Sequence, residues 1–532
     1  MQRYVGVDLG IRTKHRVAVL DDLERRGKPF SIDVTRAGFE QLLQRATEGV
    51  DGPVKFVMEP TGLAWVPVAA FVSAAGHQVY LVKSQKASHL RKFLRQHTKT
   101  DCVDADAVAR LPQVDSQGAH PLSLPTAEQM ALSRMVKRRE RLADEIGDNK
   151  RRIKALMVMA NPPLTAALGE AAFGEGAKAF LRKYSDPEVV VREGLDRLRN
   201  FWHKPSKGKV DPELVERVFE ACKTTVDLFR NLRQGNNLPF DYQEIHGEIS
   251  ADLDLMDYVE RQVEELNERI AEKYQRLDPN RTLEKIPGIG AVIAPAIEAL
   301  VGNIGRFRNA RKFIANTGLC PRKKQSGNRD QAMPMTKAGN RILKKYFYLA
   351  AETARRVDPD FARYYARRYA QGDQHNRIMI ALARKLALRV YAILKRREQA
   401  RRDMQKPTDA IEGTTKPVPV EYVLRDSEGN PLNKKEARTL IAANFTRAKA
   451  NPQRHQQDQS RRGRSPRQKK TEDSQTAKVE WPSQNATSGK PAPPSSISLS
   501  SQVKAGKPVT PQKDWESVGE IIRRFLRDAP TE

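Results

Sequence analysis

Four acidic residues in the first hundred or so positions of this sequence have the types and spacing expected of metal ligands. Asp8 ends an apolar segment, and Glu59 directly follows another, at 54–58. Charged residues that follow buried strands lie at the edge of an α/β sheet, where the sites of such folds collect. Asp101 and Asp104 are three positions apart, so a helix would place both on one face. Carboxylates that converge on Mg²⁺ can cut phosphodiester bonds by two-metal catalysis, which is the chemistry this pattern predicts.

Taken singly, each of these acids has a simpler interpretation as a helix cap, a turn residue or a solvated helical charge. Four acids in such positions favour the metal site, because two acids on one helical face repel each other unless a cation lies between them. Asp106 is a further acid beside the pair. The sequence therefore leaves open which carboxylates would bind the metal directly.

The elements that must position these acids form an α/β domain predicted over residues 1–115. Short β-branched runs predict strands at 3–10, 15–21, 29–34, 54–58 and 78–82. Helical patterns lie between or after them, at 37–45 and 101–111 among others. Strands that alternate with helices are typical of a sheet covered by helices.

Residues 116–280 are predicted to be a coiled coil with a helical insert. Apolar residues recur at helical spacing among many charges over 126–159 and again over 249–277. This pattern predicts two long helices that pair as an antiparallel coiled coil. The stretch between them, 162–242, is expected to be mostly helical without further assignment.

The C-terminal half divides into a basic helical domain, predicted over 281–400, and a tail. The tail, 401–532, is expected to be largely disordered, because residues 446–513 have few apolar side chains to bury. Within it, a hairpin and a short helix are predicted over 421–445. A terminal amphipathic helix is predicted over 515–526.

The composition points to a nucleic-acid partner. The chain of 532 residues has a formal net charge of +29, for which a polyanion is the natural partner. No apolar stretch approaches the roughly 18 residues that would cross a bilayer, so no membrane partner is expected. The three cysteines are scattered without the paired spacing of a zinc or redox site, and no export signal is visible. We expect a cytoplasmic protein.

The run at 285–290, Lys-Ile-Pro-Gly-Ile-Gly, predicts the turn of a helix-hairpin-helix. Glycines such as Gly288 and Gly290 allow backbone N–H groups to approach a phosphate at a helix N-terminus. The alternative is a plain glycine-rich turn between two helices.

Three blocks, 7–10, 58–62 and 99–105, resemble the Asp-Glu-Asp-Asp signature of the transposases named after insertion sequence 110. These transposases are related to the Piv-type DNA invertases. The resemblance implies that the first domain is similar to the RuvC Holliday-junction resolvase and has an RNase H-like fold. It also implies that the four acids named above bind Mg²⁺ as catalytic residues.

Two further blocks, 318–327 and 336–341, resemble the second domain of that family, with its Gln-Ser-Gly and Lys-x-Gly-Asn-Arg motifs. The resemblance makes Ser326 the match for a nucleophilic serine that attacks the phosphodiester and holds the cut strand. From the residues alone, Ser326 would be an ordinary loop serine. A serine hydroxyl is a weak nucleophile that needs a base, a metal or positive charge. Basic candidates for nucleic-acid contact lie nearby in the sequence, at Lys323, Lys324, Arg329, Lys337 and Arg341.

The resemblance also implies partners. These are DNA, as element ends and target, a structured non-coding guide RNA, and further copies of the chain in a dimer or tetramer. The acids and Ser326 would then form a composite site, between protomers. The stretch 355–369 mixes cations with aromatic rings, which suits either a nucleic-acid surface or a helix with an aromatic core and solvated arginines.

Two other functions compete with a recombinase. Residues 6–10 before a second strand also resemble the first phosphate loop of sugar kinases and actin-like ATPases, but the later Asp-x-Gly loop and adenosine site of that group are not found. A non-enzymatic nucleic-acid-binding protein would need only the charge of +29. Such a binder gains nothing from carboxylates that repel phosphate.

Overall fold

A computed structural model describes most of the chain up to residue 449. The described residues are 2–93, 101–115, 119–184, 186–203, 205, 211–235, 237–326, 329–336, 338–404, 424–426, 428 and 430–449. The backbone alone is described at 101–102, 322–326, 329–334, 404, 434 and 445–449. These residues fall into two compact units. The first holds the described residues of 1–131, 301–312 and 394–410, and the second holds the rest.

The first unit is built on a mixed β-sheet. Its strands are β1 (Arg3–Asp8), β2 (His15–Asp21), β3 (Glu24–Arg25), β4 (Phe30–Ile32), β5 (Lys55–Met58) and β6 (Gln78–Leu81). The strand order is β3-β2-β1-β5-β6, and β4 pairs with β2. β2 is antiparallel to β1, whereas β5 and β6 continue the sheet in parallel. The predicted α/β domain is thus confirmed as a mixed sheet domain, and of its strands only the short β3 was not predicted.

Helices cover both faces of this sheet. They are α1 (Arg36–Thr47), α2 (Trp65–Ala74), α3 (Ser84–Phe93) and α4 (Asp101–Val114). Alternate residues of a strand point to opposite faces. Val5 and Val7 of β1 therefore join the core that contains α1 and α2, while Tyr4 joins the core that contains Ala105 and Val108 of α4.

Gly6 lets α4 lie directly on β1. A Cβ atom at Gly6 would lie 2.0 Å from the Ala105 carbonyl oxygen and 2.8 Å from the Ala109 nitrogen. Ala105 and Ala109 are fully buried and small, which permits the close approach from the helix side. The backbone of α4 is therefore fixed against the strand that ends at Asp8.

The second unit contains two long antiparallel helices, α5 (Ala127–Ala160) and α11 (Tyr242–Leu277). Arg152 Nη2 lies 2.8 Å from Asp252 Oδ1. Farther from the C-terminal end of α5, Arg139 Nε donates to Asn267 Oδ1 at 2.9 Å. Because the partner number rises as the α5 number falls, the two helices run in opposite directions, as the pattern at 126–159 and 249–277 predicted.

The insert between them is a helical bundle that shares one hydrophobic core with the adjoining ends of α5 and α11. It comprises α6 (Leu164–Leu168), α7 (Glu175–Lys183), α8 (Pro187–Glu193), α9 (Leu195–His203) and α10 (Pro212–Gln234), with a short 3-10 turn at Gly169–Ala171. Phe180 and Trp202 pack at a ring distance of 5.3 Å in its centre. The side chains of Asp186 and Asp211 cap α8 and α10, each with proline as the first helical residue.

The remaining elements are α12 (Ile293–Val301), α13 (Ala310–Thr317), β7 (Pro321–Ser326), β8 (Arg329–Met335), α14 (Arg341–Val357), α15 (Pro359–Ala370), α16 (His375–Met404) and α17 (Lys434–Lys449), with a 3-10 turn at Ile304–Arg306. The prediction of a mostly helical domain is confirmed, but β7 and β8 form an antiparallel hairpin where only a loop with Ser326 was predicted. Proline in both segments and the absence of a helical apolar period account for strands here.

The hairpin and short helix predicted over 421–445 are confirmed among the described residues of the tail. Arg425 and Pro431 form an antiparallel bridge, followed by α17, which packs against α15. The end of α17 lies inside the segment predicted to be disordered, 446–513. The remainder of that segment and the predicted helix at 515–526 lie outside the described residues. In the part of the chain that is described, no helix is long and apolar enough to cross a membrane.

Candidate active site

Asp8 and Glu59 lie side by side at the carboxyl edge of the sheet. β1 and β5 are parallel neighbours, and Val7 pairs with Met58. Asp8 follows Val7, and Glu59 follows Met58. The two acids therefore lie side by side on neighbouring strands, at the same level along the strand direction. Both are half-buried. By the alternation of β1, Asp8 shares the face of Tyr4 and Gly6, which is the face that α4 covers.

The N-terminal end of α4 lies at this same edge. Near the other end of the helix, Arg110 Nη1 donates to the Leu23 carbonyl oxygen at 2.8 Å, and Gln113 donates to the Asp22 carbonyl oxygen. Asp22 N in turn donates to the Gln2 oxygen, beside the start of β1. Helix α4 therefore runs opposite to β1. Its first turns, with Asp101 and Asp104, lie toward Asp8.

Asp104 is half-buried and forms an ion pair with Arg91 of α3. A cation therefore already lies against one of the four predicted ligands. Among the described side chains, no group of three or more His, Cys, Asp or Glu residues is close enough together to hold a metal ion. The Asp101 side chain, like Lys99 and Thr100 of the same block, lies outside the described part. The three described acids share one edge without forming a closed ligand cluster by themselves.

Asp106 has a different role from its neighbours. Its side chain is 1% exposed, with Arg25 Nη2 3.0 Å from Oδ1 and Arg110 Nε 2.8 Å from Oδ2. Both carboxylate oxygens are thus engaged by arginines, which leaves Asp106 unsuited to bind metal. The Asp106–Arg110 pair has the i,i+4 spacing that a sequence can reveal, whereas no local pattern pairs Arg91 with Asp104.

Ser326 is the last residue of β7, directly opposite Arg329, the first residue of β8. It is therefore a strand-end serine, where the residues alone suggested a loop. The side chains of Ser326, Lys323, Lys324 and Arg329 are outside the description, as is Lys337. Ser326 belongs to the second unit, and the four acids belong to the first.

Two glycines close the base of this hairpin. Gly318 and Gly339 both have positive φ, +74° and +104°, and a Cβ atom on Gly339 would lie 2.6 Å from the Gly318 Cα. Below them, Asn340 N donates to the Asn316 carbonyl oxygen at 2.7 Å. The Asn340 side chain also caps α14. The glycine and asparagine of the predicted Lys-x-Gly-Asn-Arg motif thus have backbone roles, and Arg341, the last residue of that motif, has an 89% exposed side chain that pairs with Asp144 at 3.2 Å.

The predicted helix-hairpin-helix turn is a series of turns between α11 and α12. Gly288 has a φ of +90°, and a Cβ atom there would lie 2.2 Å from the Ala350 carbonyl oxygen of α14. Packing against α14 therefore accounts for a glycine at 288. Gly290 is exposed, and its carbonyl oxygen accepts from Ile293 N at the start of α12. Of the two glycines, Gly290 is the more accessible to a ligand.

Two family models match this chain. A DEDD transposase model of the IS110 type matches residues 5–162, and the model of the transposase IS116/IS110/IS902 family matches residues 280–366. The first match contains the four acids, and the second contains Ser326. The first match also contains the blocks 7–10, 58–62 and 99–105, and the second contains 318–327 and 336–341, on which the predicted resemblance rested.

Curated relatives resemble most of the chain. The uncharacterized 44.8 kDa protein of insertion element IS116 from Streptomyces clavuligerus is 25% identical over 395 residues, which cover 74% of this chain and 94% of that protein. The corresponding 43.6 kDa protein of insertion element IS110 from Streptomyces coelicolor is 23% identical, with the same coverage. The transposase for insertion sequence element IS1328 of Yersinia enterocolitica is 24% identical over 64% of this chain and 80% of its own length.

Proposed function

Because the chain belongs to the IS110-type family of insertion-sequence transposases, we propose that it cuts and rejoins DNA strands with Mg²⁺-binding acids and a serine nucleophile. Asp8, Glu59, Asp101 and Asp104 would hold the metal, and Ser326 would attack. The observation that carries the proposal is the meeting of β1, β5 and the first turns of α4 at one sheet edge. Carboxylate oxygens, the donors gathered there, are the ligands that Mg²⁺ prefers.

The groups proposed for the reaction lie in both units: the acids are in the first unit, and Ser326 is in the second. The acids at the sheet edge would hold and orient Mg²⁺, which when bound would supply charge stabilisation to a phosphoryl oxygen. The Ser326 oxygen forms a bond to phosphorus as the bond from phosphorus to a deoxyribose oxygen breaks. The serine proton is lost, and the released oxygen gains one, so that a hydroxyl end and a phosphoserine link result. Attack by the freed hydroxyl end of another strand reverses the step and joins new partners.

The family resemblance and the charge of +29 further support a structured guide RNA as a partner alongside DNA. The placement of the acids and Ser326 in different units is compatible with a composite site assembled from two or more copies of the chain. The mixed sheet supports the RNase H-like, RuvC-like description of the first domain. Gly290 before α12 supports phosphate contact at the 285–290 turn.

Strand joining by the full chain on DNA that carries the element's ends tests this function directly. Joined product is expected with Mg²⁺ and should be lost when a chelator removes the metal, since the acids alone cannot neutralise a developing phosphoryl charge. Restoring Mg²⁺ should restore the product. Undiminished joining in the chelator would contradict the metal-dependent reaction.

Arg91 is expected to weaken Mg²⁺ binding, because it pairs with Asp104. Replacing Arg91 with glutamine removes a competing cation from a partly buried pair. The pair is worth at least about 0.5–1 kcal/mol, so Mg²⁺ should bind at least about two- to fivefold more tightly. Isothermal titration of the full chain with Mg²⁺ measures this. Arg110→Gln is the matched control, since Arg110 pairs with Asp106 instead. Unchanged or weaker Mg²⁺ binding by Arg91→Gln would place the cation away from Asp104.

A further inference from the structure

A basic cleft lies between α15 and α16 of the second unit. It has a volume of about 320 Å³, and its wall contains Asp360, Arg363, Tyr364, Arg367, Lys385 and Arg389. Four of these side chains are cationic, and Asp360 is the single acid among the residues that line the cleft. A cleft of that size lies at the lower end of those that enclose small organic groups.

Asp360 is shared between two of the four cations. Arg363 Nη2 lies 2.6 Å from Asp360 Oδ1, and Arg389 Nη2 lies 3.2 Å from Asp360 Oδ2. Arg389 also reaches Asp358, 2.8 Å away, whose side chain is 4% exposed. These two arginines are therefore held in place by carboxylates of the protein.

Arg367 and Lys385 have no carboxylate partner among the described residues. Instead, Lys385 Nζ lies 4.0 Å from the centre of the Tyr364 ring, and the Arg367 guanidinium lies 5.8 Å from it. Partial burial lowers the pKa of Lys385, and the nearby Arg389 and Arg367 lower it further against the opposing effect of Asp360. Two cations thus share one aromatic ring, and neither forms an ion pair with a carboxylate among the described residues.

Cationic side chains placed together in this way can bind an anion. Guanidinium groups bind phosphate through paired hydrogen bonds, and a lysine adds a point charge. The Tyr364 ring is already approached by both cations, so it serves to hold them and is not offered as a stacking platform for a base. The chemistry of the cleft therefore favours a phosphate group over a stacked base.

We propose that this cleft binds a backbone phosphate of a nucleic-acid strand, with Arg367 and Lys385 as the phosphate-binding residues. The choice of a nucleic acid as the anion rests on the proposed function, whereas the anion site rests on the cleft itself. The stretch 355–369 was predicted to be either a nucleic-acid surface or a helix with an aromatic core, and each interpretation applies to part of it. Phe361 and Tyr365 are buried in the core, while Arg367 is exposed to solvent at the cleft.

The salt dependence of binding tests the site. The full chain with Arg367→Gln and Lys385→Gln together is titrated, without Mg²⁺, against labelled single-stranded DNA, single-stranded RNA and duplex DNA of one sequence. Loss of two phosphate contacts should reduce the slope of log affinity against log salt by about 1.4 for single strands or about 1.8 for duplex. The arm that shows the reduction identifies the occupant of the cleft. An unchanged slope in all three arms would overturn the proposal.

The matched control removes the same charge from the same two helices. Arg368 of α15 and Arg377 of α16 both pair with Asp373, at 2.5 Å and 3.6 Å. The Arg368→Gln, Arg377→Gln double variant should leave the slope nearly unchanged. Equal reductions in the two double variants would show an effect of net charge alone and would also overturn the proposal.

A second measurement needs no variant. Acylation of lysines in the native chain is followed by mass spectrometry with and without saturating oligonucleotide, using Lys223 of α10 as the reference. Lys385 should be protected several-fold relative to Lys223, and equal modification would count against the cleft. Because neither measurement involves strand joining, a chain that binds in the cleft but joins no strands would refute the proposed reaction and leave the phosphate site standing.

Discussion

Replacing Ser326 with alanine is expected to abolish the covalent protein–DNA adduct and to reduce strand joining roughly 10⁴-fold or more. Alanine lacks the oxygen that would bond to phosphorus, so no phosphoserine link can form at position 326. DNA binding should remain close to that of the native chain, because the substitution removes no charge. Denaturing gels of the full chain incubated with end-labelled DNA measure the adduct directly.

Thr336→Ala is the matched control for this serine. Thr336 lies at the other end of the hairpin, where its hydroxyl oxygen accepts from Ala338 N at 3.1 Å. Its loss should leave the adduct in place. If Ser326→Ala still forms adduct, the nucleophile lies elsewhere. If Thr336→Ala loses adduct equally, the hairpin's conformation, and not the serine oxygen, is what both variants disturb.

Asp104→Asn and Asp106→Asn are expected to lower different properties, although the two acids are only two positions apart. The first should lower strand joining, and the second should lower stability. Asp104→Asn should lower Mg²⁺-dependent joining by roughly 10²–10³-fold, because a metal ligand supplies several kcal/mol of charge stabilisation. Its cost in stability should be smaller than that of Asp106→Asn, about 1–2 kcal/mol, since only the pair with Arg91 is lost, in which the side chains are 19% and 18% exposed. Asp8→Asn should lower Mg²⁺-dependent joining by a similar factor.

Asp106→Asn should instead lower the free energy of unfolding by roughly 3 kcal/mol, because Arg25 and Arg110 lose their buried counter-charge. Its joining activity per folded molecule should remain near that of the native chain. Urea unfolding of both variants, together with joining measured well below the transition, separates the two effects. A fully stable but inactive Asp106→Asn would make Asp106 a ligand, and an active Asp104→Asn would remove Asp104 from the site.

The position of Asp8 and Glu59 at one edge of the sheet could be predicted, because a residue at the end of a buried strand lies at the sheet edge. Strand-like runs that end in Asp8 and Glu59 need only pair in parallel for the two acids to meet, and they do. The helix with Asp101 and Asp104 was likewise visible from spacing. Its direction was not, because that depends on contacts such as Arg110 with Leu23, 87 positions away.

Other features had signals that the predictions did not use. The Asp-Pro pairs at 186–187 and 211–212 begin helices of the insert, and Asp358-Pro359 begins α15 in the same way. The Gly327-Asn328 dipeptide between two non-helical runs favours a hairpin. The basic cleft had no such signal, because the side chains of Arg367 and Lys385 meet only when α15 and α16 pack together.

The two glycines that meet at the base of the β7–β8 hairpin make that segment a separable module. Since Gly318 and Gly339 are in contact, the chain enters and leaves the hairpin at nearly the same point in space. Residues 319–338 therefore amount to an insertion between α13 and α14. A short flexible linker could replace them without moving either helix, and a hairpin from a related chain could be grafted at the same point. Reactivity at Ser326 could then be exchanged or deleted as one cassette.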